Sequence, residues 1–138
     1  MRAWGVEQGC LFCGERDEDR DHLFFACPYT YTLWLRVLGS LLQPVPSPDW
    51  NENLCLLTAP APNRFTSILS KLAFQVTIYY IWKEMNGRRH NQVARPVEQL
   101  SKFIDKTIRQ RVLSTRYYEK PHLLGLLQHW FSTRTGRA

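Results

Sequence analysis

The stretch NRFTSILSKLAFQVTIYYIWKEMNGRRH, residues 63–90, decides the fold class. Phe65, Ile68, Leu69, Leu72, Val76, Tyr79, Tyr80 and Trp82 recur at steps that suit one side of a helix, and they run into the charged segment from Lys83 to His90. The middle, Val76 to Trp82, is β-branched and aromatic and taken alone would suit a strand. The pattern, however, is sustained far beyond the roughly 3–10 residues of a typical strand. Length and periodicity therefore predict a long helix from Asn63 onward.

Downstream, a second helix is predicted from about Pro96 to Tyr117. Val97, Leu100, Phe103, Ile104, Ile108 and Val112 fall on one side of it, while Lys102, Lys106, Arg109 and Arg116 point the other way, mixed with Glu98 and Asp105. Pro121 opens a short third segment, Leu123 to Phe131, dense in Leu and Trp, and residues 132–138 (STRTGRA) read as a frayed tail. Upstream, Pro60 and Pro62 break the chain, a short helix fits residues 49–59, and Pro44, Pro46 and Pro48 interrupt the segment before it. Pro28 suits the first position of a further helix, because its fixed φ fits there and its missing N–H costs nothing. Tyr31, Trp34, Leu35, Leu38, Leu41 and Leu42 follow it at helical spacing.

Residues 10–27, CLFCGERDEDRDHLFFAC, hold three of the four cysteines and a histidine. Written as spacing they read C-x2-C-x8-H-x4-C. Zinc in a structural site takes four N or S ligands in a tetrahedron. Gly14, directly after Cys13, can adopt the positive φ of a turn that presents two thiolates to one ion. Cys10, Cys13, His22 and Cys27 would close the shell and leave no position for water or substrate, which points to one structural Zn²⁺ per chain. Cys55, between the prolines, reads as a small buried hydrophobe and not as a fifth ligand. The expected fold class is thus mainly α, a small CCHC zinc knuckle followed by three to four helices. Residues 1–42 form the zinc-binding head with its following helix, 43–63 a Pro-rich linker, 64–131 a basic helical region and 132–138 the tail.

The net charge of +6 conceals an asymmetry. Residues 1–57 carry four Arg against eight Asp and Glu, whereas residues 58–138 carry fourteen Lys and Arg against four acids. The basic half favours polyanions, nucleic acid first among them; the same charges also suit plain helix solubility. The insert Glu15 to Asp21 has five acids and two arginines, so a phosphate backbone is repelled at the zinc loop itself. The first residues lack the apolar run of a secretory signal. The most apolar window, Phe74 to Trp82, is too short to span a bilayer. The expectation is an intracellular protein, nuclear or cytoplasmic, not secreted and without a transmembrane segment, in which thiols stay reduced and clustered cysteines bind metal.

Cys10-x2-Cys13-Gly14, His22-Leu-Phe-Phe, Cys27-Pro28-Tyr29 and Trp34 together resemble the zinc-binding domain at the C-terminal end of plant non-LTR (LINE-type) reverse transcriptases. The run Ile78-Tyr-Tyr-Ile-Trp-Lys-Glu-Met-Asn86 is similar to the segment that follows it there, although Met85 stands where an Arg usually precedes the Asn. Phe103 to Arg109 and Leu124 to Phe131 are similar to the tails of the same proteins. The resemblance implies Cys10, Cys13, His22 and Cys27 as zinc ligands and carries over nothing catalytic. The family's polymerase binds Mg²⁺ at an aromatic-x-Asp-Asp site, and this sequence has no Asp-Asp pair. Of the segment that normally precedes the zinc motif only Arg2 to Gly5 is recognisable, so the resemblance implies a C-terminal piece of a retroelement, either domesticated or a non-functional remnant.

Three functions compete. The first is an accessory module that binds RNA or DNA through Lys83, Arg88, Arg89, Lys102, Lys106, Arg109 and Arg116, with Tyr117 and Tyr118 available to stack. For the two tyrosines, packing at the core boundary is the plainer expectation. The second is a structural or protein-interaction domain, with a protein partner or self-association through an apolar patch at Trp4, Tyr31 and Trp34. The third, an independent enzyme, lacks support: Glu84, Glu98, Asp105 and Glu119 are dispersed, and His90, His122 and His129 have no sequence-level partner. No membrane or small-molecule substrate is expected.

Overall fold

The computed structural model describes residues 27–42, 45–59 and 63–135, and among them every regular element is helical. Five α-helices follow one another: α1 (Pro28–Leu38), α2 (Trp50–Thr58), α3 (Arg64–Arg89), α4 (Val97–Ser114) and α5 (Leu126–Thr135). Two short 3₁₀ turns, Tyr117–Glu119 and Pro121–Leu123, lead from α4 to α5. The zinc knuckle lies outside the described residues except for Cys27, its last expected ligand.

Local chemistry fixes the helix ends. Pro28 occupies the first turn of α1 after an extended Cys27. Asp49 accepts the N–H of Asn51 (2.9 Å) to open α2, and Asn63 accepts that of Phe65 (2.7 Å) to open α3. Gly39 ends α1 at φ 58°, ψ −123°, a conformation that glycine alone enters cheaply.

α1, α3 and α4 pack on one another, α5 closes against α3 and α4, and α2 rests on α3. Trp34, Leu69, Ile81, Leu100, Ile104, Ile108 and Trp130 are fully enclosed at the centre. α4 contributes Leu100, Ile104, Ile108 and Val112 at steps of one turn. The expected apolar side of α4 is narrower than the sequence suggests, because Phe103 is 37% exposed.

The buried side of α3 differs from the expected stripe. It runs through Leu69, Ala73, Val76, Thr77, Ile81, Glu84 and Met85, while Tyr79 and Trp82 are each 52% exposed. Small side chains let neighbouring helices come close, so Ala73 and Thr77 occupy the contact and the bulkiest residues are turned out. Trp34 and Tyr31 also depart from expectation. Trp34 is fully buried, with its indole N–H donated to Asn53 Oδ1 (2.8 Å), and Tyr31 donates its hydroxyl to the carbonyl of Pro46 (2.7 Å). Neither forms an open patch.

Two further expectations are corrected. Cys55 is exposed on α2, because Asn53 and Leu57 face inward and leave it on the outer side. The segment after Phe131 continues as the last turn of α5 up to Thr135. It is tied down there: Thr133 O accepts the N–H of Ser40 (3.2 Å), and Arg134 donates to the carbonyl of Leu38 (2.6 Å). Among the described residues no helix is long and apolar enough to cross a membrane.

Candidate nucleic-acid interface and metal centre

Cys27 is fully buried immediately ahead of α1, where its carbonyl accepts the N–H of Tyr31 (2.9 Å) and the hydroxyl of Thr30 (3.2 Å). A helix N-terminus favours negative charge, so a cysteine placed here is well set to serve as a metal ligand. The donor set fits zinc in chemistry: three sulfurs and one imidazole. Cys10, Cys13 and His22 lie outside the described residues. Within those residues no three His, Cys, Asp or Glu side chains converge on a metal position.

The seven basic candidates separate into different settings. Lys102, Lys106 and Arg109 line one open groove on the outer side of α4, and the walls are completed by Arg36 from α1 and Arg134 from α5. Phe103 and Ser101 also line it, and among the described residues Asp105 is the only carboxylate in the lining. Asp105 is engaged twice, by Arg109 Nε at 3.1 Å and by the indole N–H of Trp130 at 2.8 Å. Arg134 is held by its bond to Leu38 and by stacking over the Trp130 ring at 4.0 Å. Among the described residues the lining brings five basic side chains together, a setting that suits a polyanion. Arg36 and Arg134 escaped sequence reading, since only the packing of α1 and α5 beside α4 brings them to these lysines.

Lys83 stands apart on α3. It is exposed, with its ammonium 5.9 Å from the ring centre of Tyr79 and 5.8 Å from that of Tyr80. Arg116 is exposed beyond the end of α4, in a left-handed conformation (φ 55°), and pairs with Glu119 at 2.9 Å. Tyr117 beside it is buried, whereas Tyr118 is 56% exposed. Of the histidines, His90 caps α3 and His129 shares a 3.1 Å hydrogen bond with the Thr66 hydroxyl.

Arg88 turns inward. Its Nε donates to Glu84 Oε2 at 2.9 Å, its Nη2 donates to the carbonyl of Arg95 at 3.0 Å, and its guanidinium lies over the Tyr29 ring at 4.8 Å. Glu84 is buried and also accepts the backbone N–H of Arg95 (2.9 Å), while Arg95 Nε stands 3.8 Å from its second oxygen. Tyr29 donates to the same Arg95 carbonyl at 2.7 Å. Burial pushes the Tyr29 phenol up to about 12, a rise that Glu84 reinforces and the Arg88 guanidinium opposes. This network joins α1, the end of α3 and the segment leading into α4. Arg88 is thus placed to hold the fold together. Arg89, its neighbour, is half-buried in the same last turn of α3.

Residues 1–34 match the family described as zinc-binding in reverse transcriptase. The match takes in all four expected ligands and runs into α1 as far as Trp34. It supports a reverse-transcriptase-associated zinc-binding domain at this end of the chain, and the matched family is the zinc-binding one, not a polymerase. The comparisons with curated proteins and with solved structures gave no significant match.

Proposed function

We propose that the chain is a retroelement-derived accessory module, of the plant non-LTR (LINE-type) kind, that binds zinc in its N-terminal head and nucleic acid on its helical body. Zinc held by Cys10, Cys13, His22 and Cys27 has a structural role, since four protein ligands complete its shell. It fixes the acidic head ahead of α1. The nucleic acid lies in the groove of α1, α4 and α5. No catalysis is assigned to the chain.

The observation that carries this reading is the gathering of Arg36, Lys102, Lys106, Arg109 and Arg134 from three helices around one groove. A merely soluble helix surface needs no such convergence. Polyanion binding releases counterions, so affinity falls steeply with salt, by a slope of about −0.7 to −0.9 per phosphate engaged. Fluorescence anisotropy with labelled RNA and DNA across a salt series tests it. The Lys102→Glu/Lys106→Glu double variant is expected to lose most of the affinity and to flatten the slope. Binding that is unchanged in this variant overturns the proposal.

A second reading, protein contact, draws on the outer side of α2. There Val45, Cys55, Leu56 and Ala59 line a shallow apolar groove. Size measured against concentration tests self-association, and a constant monomer size counts against that form of the reading.

A further inference from the structure

We infer that the polymer is single-stranded, and that its track leaves the α4 groove over Phe103 and continues onto the outer face of α3 at Tyr79. The inference rests on the nucleic-acid reading above and adds the strand class and the stacking residues.

Phe103 lies in the groove between Lys102 and Lys106 on the sequence and is 37% exposed. The guanidinium of Arg95 covers it at 5.2 Å from the ring centre. Arg95 in turn lines a small hollow with Tyr80 and Lys83 at the foot of α3. Tyr80 reaches across to α4, where its hydroxyl meets that of Thr107 at 2.8 Å, one turn after Phe103. Beyond Tyr80 come Lys83, over both tyrosine rings, and Tyr79, packed edge-on to Tyr80 at 5.5 Å. Aromatic and cationic side chains therefore alternate from the groove to α3 through a chain of contacts.

The chemistry of this strip selects the ligand. A duplex presents phosphates and base edges, while its base faces are already stacked. Unstacked bases offer faces to rings, and rings interleaved with cations suit a single strand. Among the described residues that line the groove and the hollow, the two carboxylates are engaged: Asp105 by Arg109 and Trp130, Glu84 by Arg88 and Arg95. The strip is left positive, which favours a polyanion over an apolar or basic protein segment. The outward turn of Tyr79, in a helix that buries Ala73 and Thr77 instead, also leaves an aromatic face for the ligand.

The test uses the full chain and three labelled probes of equal length: oligouridylate, oligodeoxythymidylate and a DNA duplex. Polyglutamate serves as a competitor. Single strands are expected to bind at least about tenfold tighter than duplex. Phe103→Leu and Tyr79→Leu, each at an exposed position and each checked by thermal melting, should weaken single strands about five- to tenfold and leave duplex affinity unaltered. A ribose or deoxyribose preference within the single strands names the sugar and supports the inference equally. Duplex binding as tight as single-strand binding overturns it, as do leucine variants with wild-type affinity or efficient displacement by polyglutamate. If Lys102→Glu/Lys106→Glu abolishes binding while the leucine variants keep it, the groove survives and the stacking track does not. If no probe binds, both fall.

Discussion

Glu84→Ala tests the inward role of Arg88, and its cost can be worked from the contacts. The Glu84 side chain is only 5% exposed, against 13% for Arg88 and 35% for Arg95. Alanine removes a 2.9 Å charged hydrogen bond from Arg88, a 2.9 Å bond from the Arg95 backbone N–H, and a longer 3.8 Å attraction to Arg95. Breaking a fully buried ion pair costs about 3–5 kcal/mol, because the remaining charge is left uncompensated. Here the remainder is softened. Arg88 keeps the Arg95 carbonyl and the Tyr29 ring, and Arg95 keeps solvent access. Against that, the Arg95 N–H loses its acceptor, worth about 1–3 kcal/mol if it stays dry. The balance is about 3 kcal/mol, or a melting temperature lower by about 10 °C for a chain of this size.

The assay is urea denaturation at neutral pH in zinc-containing buffer, with Glu84→Ala, Arg88→Met and the double variant. Arg88→Met should cost about 2 kcal/mol, and the double variant clearly less than the sum, with about 1–2 kcal/mol of coupling. Additive losses, or a Glu84→Ala cost below about 1 kcal/mol, would mean that the pair behaves like an exposed one. Arg88 would then return to the surface cations available to a ligand.

Gly39→Ala is expected to cost about 2–3 kcal/mol: its φ is 58°, and a Cβ there would stand 2.5 Å from the Thr133 carbonyl oxygen. Gly87→Ala in α3 is the contrast, since its Cβ would meet only the movable end of Gln92, and chemical denaturation should show a change within about 1 kcal/mol. Tyr29 gives the pH dependence. Its folded pKa of about 12 lies above the ordinary 10.0, so its contribution is fully present below pH 10 and is lost as pH rises from 10 toward 12. Melting curves over that window should fall less steeply for Tyr29→Phe than for the wild type, and parallel curves count against the burial of the phenol. Metal analysis should find one zinc per chain, lost in Cys27→Ser and retained in Cys55→Ser. Retention in both removes Cys27 from the ligand set.

Periodicity was enough for the helices because each long one repeats its apolar residues over several turns. What periodicity could not rank is which apolar residue faces a neighbouring helix. In α3 that choice went to Ala73 and Thr77, leaving Tyr79 and Trp82 outside, since close approach of helices favours small side chains and a sequence pattern weighs large ones. The ends of α1 and α5 were harder still. Ser40, Thr133 and Arg134 meet across the whole chain, and nothing local in STRTGRA announces a docked turn.

The same limit governs the site. The proposed zinc ligands are a matter of spacing within one short segment, so the sequence alone nominates them. The groove is not local: Lys102, Lys106 and Arg109 share a helix face and could be grouped, but Arg36 and Arg134 join them only through tertiary packing. Arg88 shows the converse. Its four-residue spacing from Glu84 is visible in the sequence, yet that spacing fits an exposed pair as well as a buried one. The Tyr29 ring and the Arg95 backbone make the difference, and both arrive from other elements. A basic residue's availability to phosphate therefore depends on whether a carboxylate and a ring already hold it. By that criterion Lys102 and Lys106 remain candidates for the ligand, and Arg88 does not.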